Sequence, residues 1–147
     1  MQQGYYLEDL EIGMTASFSK TVTDADIVLF SGVSGDTNPV HISQEFAEQT
    51  MFKGRIAHGM LSAGFISAAF GTKLPGPGCI YLSQNLRFRA PVKIGDTVTA
   101  RVTIKKMDQE RRRVTFDTTC TVRERVVVDG EALLMVASRA EASQAAE

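Results

Sequence analysis

The apolar positions divide the chain into two unlike halves. Residues 15–22 alternate weakly between polar and apolar side chains, with Ala16, Phe18 and Val22 among threonines, serines and a lysine, and this period of two predicts a short strand. Thr23-Asp24-Ala25-Asp26 has the spacing of a helix start, in which the hydroxyl accepts a free backbone N–H and the acid faces the positive end of the helix. Ile27, Phe30 and Val33 follow at helical spacing before Gly35 ends the run. Residues 35–41 predict a loop, and a short helix is expected from Ser43, with Phe46 and Ala47 flanked by Glu45 and Glu48. A second helix is predicted from His58-Gly59. Its Met60, Leu61, Phe65, Ile66, Ala69 and Phe70 leave almost no polar face, so the pattern predicts a helix buried on all sides. Gly71 and Pro75-Gly76-Pro77-Gly78 terminate it.

The second half is rich in strands. Residues 80–88, 97–106, 114–125 and 132–139 are runs of β-branched and apolar residues. Gly95-Asp96, Asp108-Gln109-Glu110 and Asp129-Gly130 punctuate them as turns, and the last has the form of a hairpin signal. The sum is an α+β domain over residues 1–140: an antiparallel sheet of about five strands wrapped around one long buried central helix. Residues 141–147 form a polar tail expected to fray.

Composition narrows the class without choosing a function. A chain of 147 residues with 44% hydrophobic and 22% charged residues can bury a core without disulfide or metal staples. A net charge of -1 gives no electrostatic case for nucleic acid. No apolar run approaches the roughly 18 to 20 residues that span a bilayer. The amino-terminal residues lack the basic-then-apolar order of a secretion signal. Cys79 and Cys120 show no zinc spacing and read as small core residues with free thiols. The expectation is a cytoplasmic protein with no membrane or nucleic-acid partner.

Two constellations carry chemistry. In Asp36-Thr37-Asn38-Pro39-Val40-His41, Pro39 breaks a helix and extends Asn38, so the carboxylate and the imidazole can converge on one point. Such a pair around one water can give and take a proton. The competing reading is an Asx-type turn in which Asp36 and Asn38 bond their own backbone. In His58-Gly59-Met60, a helix start offers free N–H groups and a positive dipole to a developing oxyanion, and Gly59 has no side chain to obstruct it. The alternative is that Gly59 only eases packing. A triad of Ser34, Asp36 and His41 lacks a nucleophile elbow. Asp36, His41 and His58 match no recognised ligand spacing, so no metal and no cofactor are expected. Arg111-Arg112-Arg113 reads as a solvated hairpin tip or as a docking patch for phosphates.

These motifs together resemble the MaoC-like family, and within it the (R)-specific 2-enoyl-CoA hydratases, whose signature is D-x-N-P-x-H followed by H-G-M at the start of the central helix. Both stand intact here, and the resemblance continues through Leu74-Pro75-Gly76-Pro77-Gly78, Ile80-Tyr81-Leu82, the run 86–92 and Gly95-Asp96, covering about residues 30–101. It implies the hot-dog fold and reversible hydration of a 2-enoyl-CoA thioester. Asp36 and His41 would hold the water, the N–H of Gly59 would polarise the thioester carbonyl, and Asn38 would support the loop. It also implies a homodimer joined at a sheet edge. Alternatives on the same fold are an acyl-CoA thioesterase and a dehydratase of carrier-protein-bound chains; a non-catalytic acyl-CoA binder would have no use for Asp36 and His41. On a helical period Gly59, Ala63, Ile66, Ser67 and Phe70 share a face, so Ala63 and Ser67 are expected to line an acyl pocket that Phe70 plugs, giving a short-chain preference; equally, Phe70 reads as plain core.

Overall fold

The computed structural model describes residues 3–146. Strand β1 (Thr15–Thr21) leads into helix α1 (Asp24–Ser34) through the expected start. The Asp26 N–H donates to Thr23 Oγ1 at 3.2 Å, and the Thr23 N–H donates to the Asp26 carboxylate at 2.9 Å. The Lys20 ammonium, 2.6 Å away, and the Thr23 N–H hold the Asp26 carboxyl below its ordinary range. Gly35 ends α1 in the left-handed region at φ 80°, its N–H donating to Ser31 O at 2.9 Å.

One apolar position and one boundary depart from the simple pattern here. Val33 is 85% exposed, because α1 meets the rest of the chain along a narrow stripe whose buried members are Ile27 and Ser31. The loop also ends sooner than expected, since Pro39–Ile42 forms a one-turn helix, α2. Proline at its first position gives up an N–H that no helix start can satisfy, and Asn38 Oδ1 accepts the Val40 N–H at 3.2 Å. Helix α3 (Gln44–Glu48) follows, capped by Ser43 as expected, with Ala47 buried.

Helix α4 (Gly59–Thr72) is followed by β2 (Ile80–Gln84), β3 (Arg87–Phe88), β4 (Thr97–Asp108), β5 (Arg113–Val122) and β6 (Arg125–Met135). The sheet is antiparallel throughout in the order β1-β4-β5-β6-β2, with β3 also paired to β6, so it has six strands where about five were expected. The extra strand arises because the run 80–88 breaks. Asn85 meets β6 with its side chain, accepting the Glu131 N–H on Oδ1 at 3.1 Å, and its carbonyl oxygen presses on Gly130, where a Cβ would lie only 1.9 Å away. Asp129-Gly130 is therefore not a turn: it lies inside β6, with Thr118 of β5 opposite Gly130. The hairpin turns at Arg123 and Glu124, which take φ of 48° and 68° without glycine. Residues 141–146 belong to a short helix, α5 (Arg139–Ala146), that has no buried residue.

Helix α4 packs against one face of the sheet, touching β1, β4, β5 and β6. Its buried residues are Ser62, Phe65, Ile66, Ala69 and Phe70. The Phe65 ring lies 5.9 Å from Phe18, and that of Phe70 packs edge-on against Phe116 at 4.8 Å. Inward residues of the strands, including Val98, Val102, Ile104, Val114 and Leu134, complete this core. The expected burial on all sides is not met within one chain. Met60 is 56% exposed, and Gly64, Ser67 and Gly71 are open on the same side, because a single sheet covers only one face of the helix. Both cysteines are free. Burial pushes the Cys120 thiol up to about 12 and also raises that of Cys79, so neither is an activated nucleophile. No helix of the described residues is long and apolar enough to cross a membrane.

Candidate active site

The loop between α1 and α2 meets the start of α4, and the meeting is held by local backbone chemistry. Ser34 Oγ donates to Phe30 O at 2.6 Å and accepts the Asp36 N–H at 3.1 Å, so this hydroxyl serves the turn. Asp36 Oδ1 accepts the Asn38 N–H at 3.3 Å, and the Asn38 carbonyl accepts the His41 N–H at 2.9 Å. The Asx turn and the convergence of Asp36 with His41 thus coexist: the turn is what points both side chains one way. Arg55 secures the far end, donating from Nε to His41 O at 2.6 Å while its guanidinium pairs with Asp24 at 2.7 Å.

His41 is buried, with Nδ1 2.8 Å from Ile56 O. A carbonyl only accepts, so Nδ1 carries the hydrogen and the neutral ring presents an acceptor at Nε2. One carboxylate oxygen of Asp36 and one ring nitrogen each of His41 and His58 lie within 4.8 Å of one another. That span suits a single water making two hydrogen bonds of about 2.8 Å each.

His58 supplies what sequence reasoning missed. Its side chain does not cap α4. Nε2 instead lies 2.9 Å from the main-chain oxygen of Asp36 and 3.1 Å from Ser31 Oγ. The ring is stacked on His41 at 3.9 Å with planes 28° apart, and Phe30 covers it at 4.7 Å. A histidine at the head of an otherwise apolar helix was the available signal. The same stacking argues against a metal held by Asp36, His41 and His58: nearly parallel rings send their in-plane lone pairs out side by side, whereas an ion needs donors converging at about 2.0–2.1 Å.

At Gly59 the helix opens without a side-chain cap, and no hydrogen bond among the described residues uses its N–H. Phe88 explains the glycine: a Cβ here would sit 2.5 Å from the phenyl ring. Asp36, His41, His58, Gly59 and Phe88 line a cavity of about 520 Å³ whose other walls are largely apolar, among them Phe52, Met60, Val92 and Val128. Arg89 also lines it and pairs with Asp129 at 3.1 Å.

The remaining expected site residues lie elsewhere. Ala63 and Ser67 line a second groove of about 480 Å³ with Phe30, Tyr81 and Leu86, and Met60 borders both spaces. Phe70 lines neither; it is 1% exposed and packs edge-on against Tyr81 at 5.1 Å, directly behind a wall of the second groove. Arg111-Arg112-Arg113 is not brought to the cavity. Arg113 pairs with Met135 at one end of the sheet, whereas cavity-lining Val128 pairs with Cys120, seven residues along β5 or about 23 Å at ~3.3 Å per residue. Arg112 is engaged with Glu141.

Comparison with known proteins matches this arrangement. The profile of the MaoC like domain matches residues 9–126. The chain is 58% identical to an (R)-specific enoyl-CoA hydratase of Rhodospirillum rubrum, over 92% of this chain and 94% of the relative. It is 50% identical to a 3-hydroxybutyryl-CoA dehydratase of Methylorubrum extorquens, over 93% and 87% of the two chains. The solved structure of the R-hydratase PhaJ1 from Pseudomonas aeruginosa superposes with a TM-score of 0.88 at 43% identity, covering 93% of this chain and 88% of that one. With its hot-dog arrangement of sheet and helix and both signature motifs in one cavity, the chain belongs to the MaoC-like domain family.

Proposed function

We propose that this protein is a hydro-lyase that adds water, (R)-specifically and reversibly, across the 2,3 double bond of a 2-enoyl-CoA thioester. The observation that carries the reading is the placing of Asp36 and His41 within one water's span, in the same cavity as the uncapped start of α4. The hydratase and the dehydratase among its relatives support it. An ionised Asp36 and the Nε2 of neutral His41 both accept, so a water between them donates both hydrogens and presents a lone pair to C3. As its oxygen bonds to C3, one hydrogen passes to the Asp36–His41 pair and the double-bond electrons move toward the thioester oxygen. The Gly59 N–H and the positive end of α4 stabilise that enolate. A proton returned by the pair to C2 completes the 3-hydroxyacyl thioester, and the reverse steps dehydrate it. Asn38 supports this geometry by capping the helix that carries His41. Asp36→Asn and His41→Gln should each lower kcat by about 10²–10⁴-fold with melting temperature retained. The double variant should be little slower than either single one, because the two act as a unit. Steady-state rates on crotonyl-CoA check this, and near-normal turnover in a folded single variant would contradict it.

We also place the protein in the cytoplasm, which suits its free thiols, and take its working form as a homodimer. Strand β2 is a free sheet edge with Ile80, Tyr81 and Leu82 exposed, and beside it lies the uncovered face of α4. A second copy would pair the edge and cover the apolar groove together. Sedimentation should give twice the chain mass with full activity; a fully active monomer would refute the assignment.

The acyl chain is assigned to the space bordered by Met60, Ala63 and Ser67, with Phe70 behind it as the stop. Phe70→Ala should raise kcat/KM for octenoyl-CoA relative to crotonyl-CoA. A loss of about 3–5 kcal/mol of stability with that ratio unmoved would show Phe70 to be core and nothing more.

A further inference from the structure

His58 is buried to 2% exposure, and none of the chemistry above uses it. Its Nδ1 is a buried polar atom with no hydrogen-bond partner, the only such side-chain atom among the described residues. A core position that wanted only volume would be better served by an apolar side chain, which leaves no polar atom stranded. What the imidazole provides is at Nε2. The Asp36 main-chain oxygen 2.9 Å away can only accept, so Nε2 must carry the hydrogen, and Ser31 Oγ at 3.1 Å shares it. That choice of tautomer is what leaves Nδ1 bare.

Three parts of the site meet at this one residue. Its N–H holds the backbone of Asp36. Its ring, pressed between Phe30 and His41, backs the imidazole of His41 at 3.9 Å. Its own carbonyl accepts the Leu61 N–H at 3.0 Å in the first turn of α4, and the next residue is Gly59. Among the described side chains this is the hydrogen bond that ties Asp36 to the start of α4, whereas His41 is tied separately through Nδ1 to Ile56 O at 2.8 Å, so the distance from Asp36 to the Gly59 N–H depends on the His58 bond. We infer that His58 is a positioning residue: its Nε2–H fixes the main chain of Asp36 against the start of α4, and so registers the bound water on the substrate carbonyl. The inference rests on the hydratase reading.

Two amides separate this role from simple core filling. In His58→Gln the side-chain nitrogen reaches the place of Nε2 and can still donate to Asp36 O. In His58→Asn it reaches only the place of Nδ1, where no acceptor waits. Both variants lose the ring stack, so the hydrogen bond is the difference between them. The expected result is that the Asn variant loses kcat on the order of 10²-fold, as for a displacement of about 1 Å at a reacting group, with KM for crotonyl-CoA nearly unchanged. The Gln variant should recover most of that loss at a comparable melting temperature. Equal kcat in the two folded variants, whether high or low, would overturn the inference, as would a Gln variant that folds but turns over no faster than Asp36→Asn. The parallel Asp36→Asn measurement tells the two failures apart. If it abolishes hydration while Gln and Asn at position 58 behave alike, only the role of His58 falls. If hydration survives Asp36→Asn, the reading of the site falls and this inference with it.

Discussion

The seating of α4 on the sheet is the contact from which the rest of the site is built. Ile66, Ala69 and Phe70 are essentially without solvent exposure, and Phe70 locks edge-on to Phe116 in β5. Burying a side chain of this size stabilises by about 1.5–3 kcal/mol, and close packing allows little sliding. With the helix fixed in depth and rotation, its first residue is fixed as well. Gly59 then lies under the Phe88 ring that β3 carries, so close that a Cβ at this position would force the ring to move. A core contact thereby sets the position of a backbone N–H that the proposed chemistry uses, several turns away from the aromatic lock itself.

The loop that brings Asp36 and His41 to that point is ordered by short-range bonds. Ser34, Asp36, Asn38 and Ser43 each bind backbone groups within a few residues, and Gly35 supplies the left-handed turn out of α1. Turn formation and proton chemistry were competing explanations of the same residues when read as sequence. In the fold one geometry makes the turn and would serve the proposed proton chemistry: Asp36 Oδ1 takes the Asn38 N–H, and the same residue lines the cavity. Arg55 and Ile56 then hold His41 from the opposite side through its main-chain oxygen and its Nδ1.

Much of this was legible in the chain, and the failures have identifiable causes. The capped start of α1, the Gly35 stop and the long strands of the second half follow from local chemistry, and all are present. Asp129-Gly130 misled because the glycine is required by the approach of Asn85, a contact with the break between β2 and β3 that no local pattern records, while Arg123 and Glu124 accept positive φ in the actual turn. Val33 kept a helical spacing but faces outward, since α1 has only a narrow contact stripe. The apolar character of α4 all round was read as complete burial; in one chain it gives a buried face and an open one, which is where a second copy is assigned. The part inferred for His58 was not legible, because it depends on a main-chain oxygen twenty-two residues earlier in the sequence. The convergence of Asp36, His41 and Gly59 on one cavity was legible, since their motif spacing is local.

The central claim is that water is added to carbon rather than used to cleave a thioester. The direct measurement is to incubate the purified protein with crotonyl-CoA, follow the enoyl-thioester absorbance, titrate free thiol in the same sample, and resolve the enantiomers of the product. The account predicts that absorbance falls without thiol release and that the product is the (R)-3-hydroxy thioester. Stoichiometric release of free coenzyme A, or a product of the opposite configuration, would contradict it.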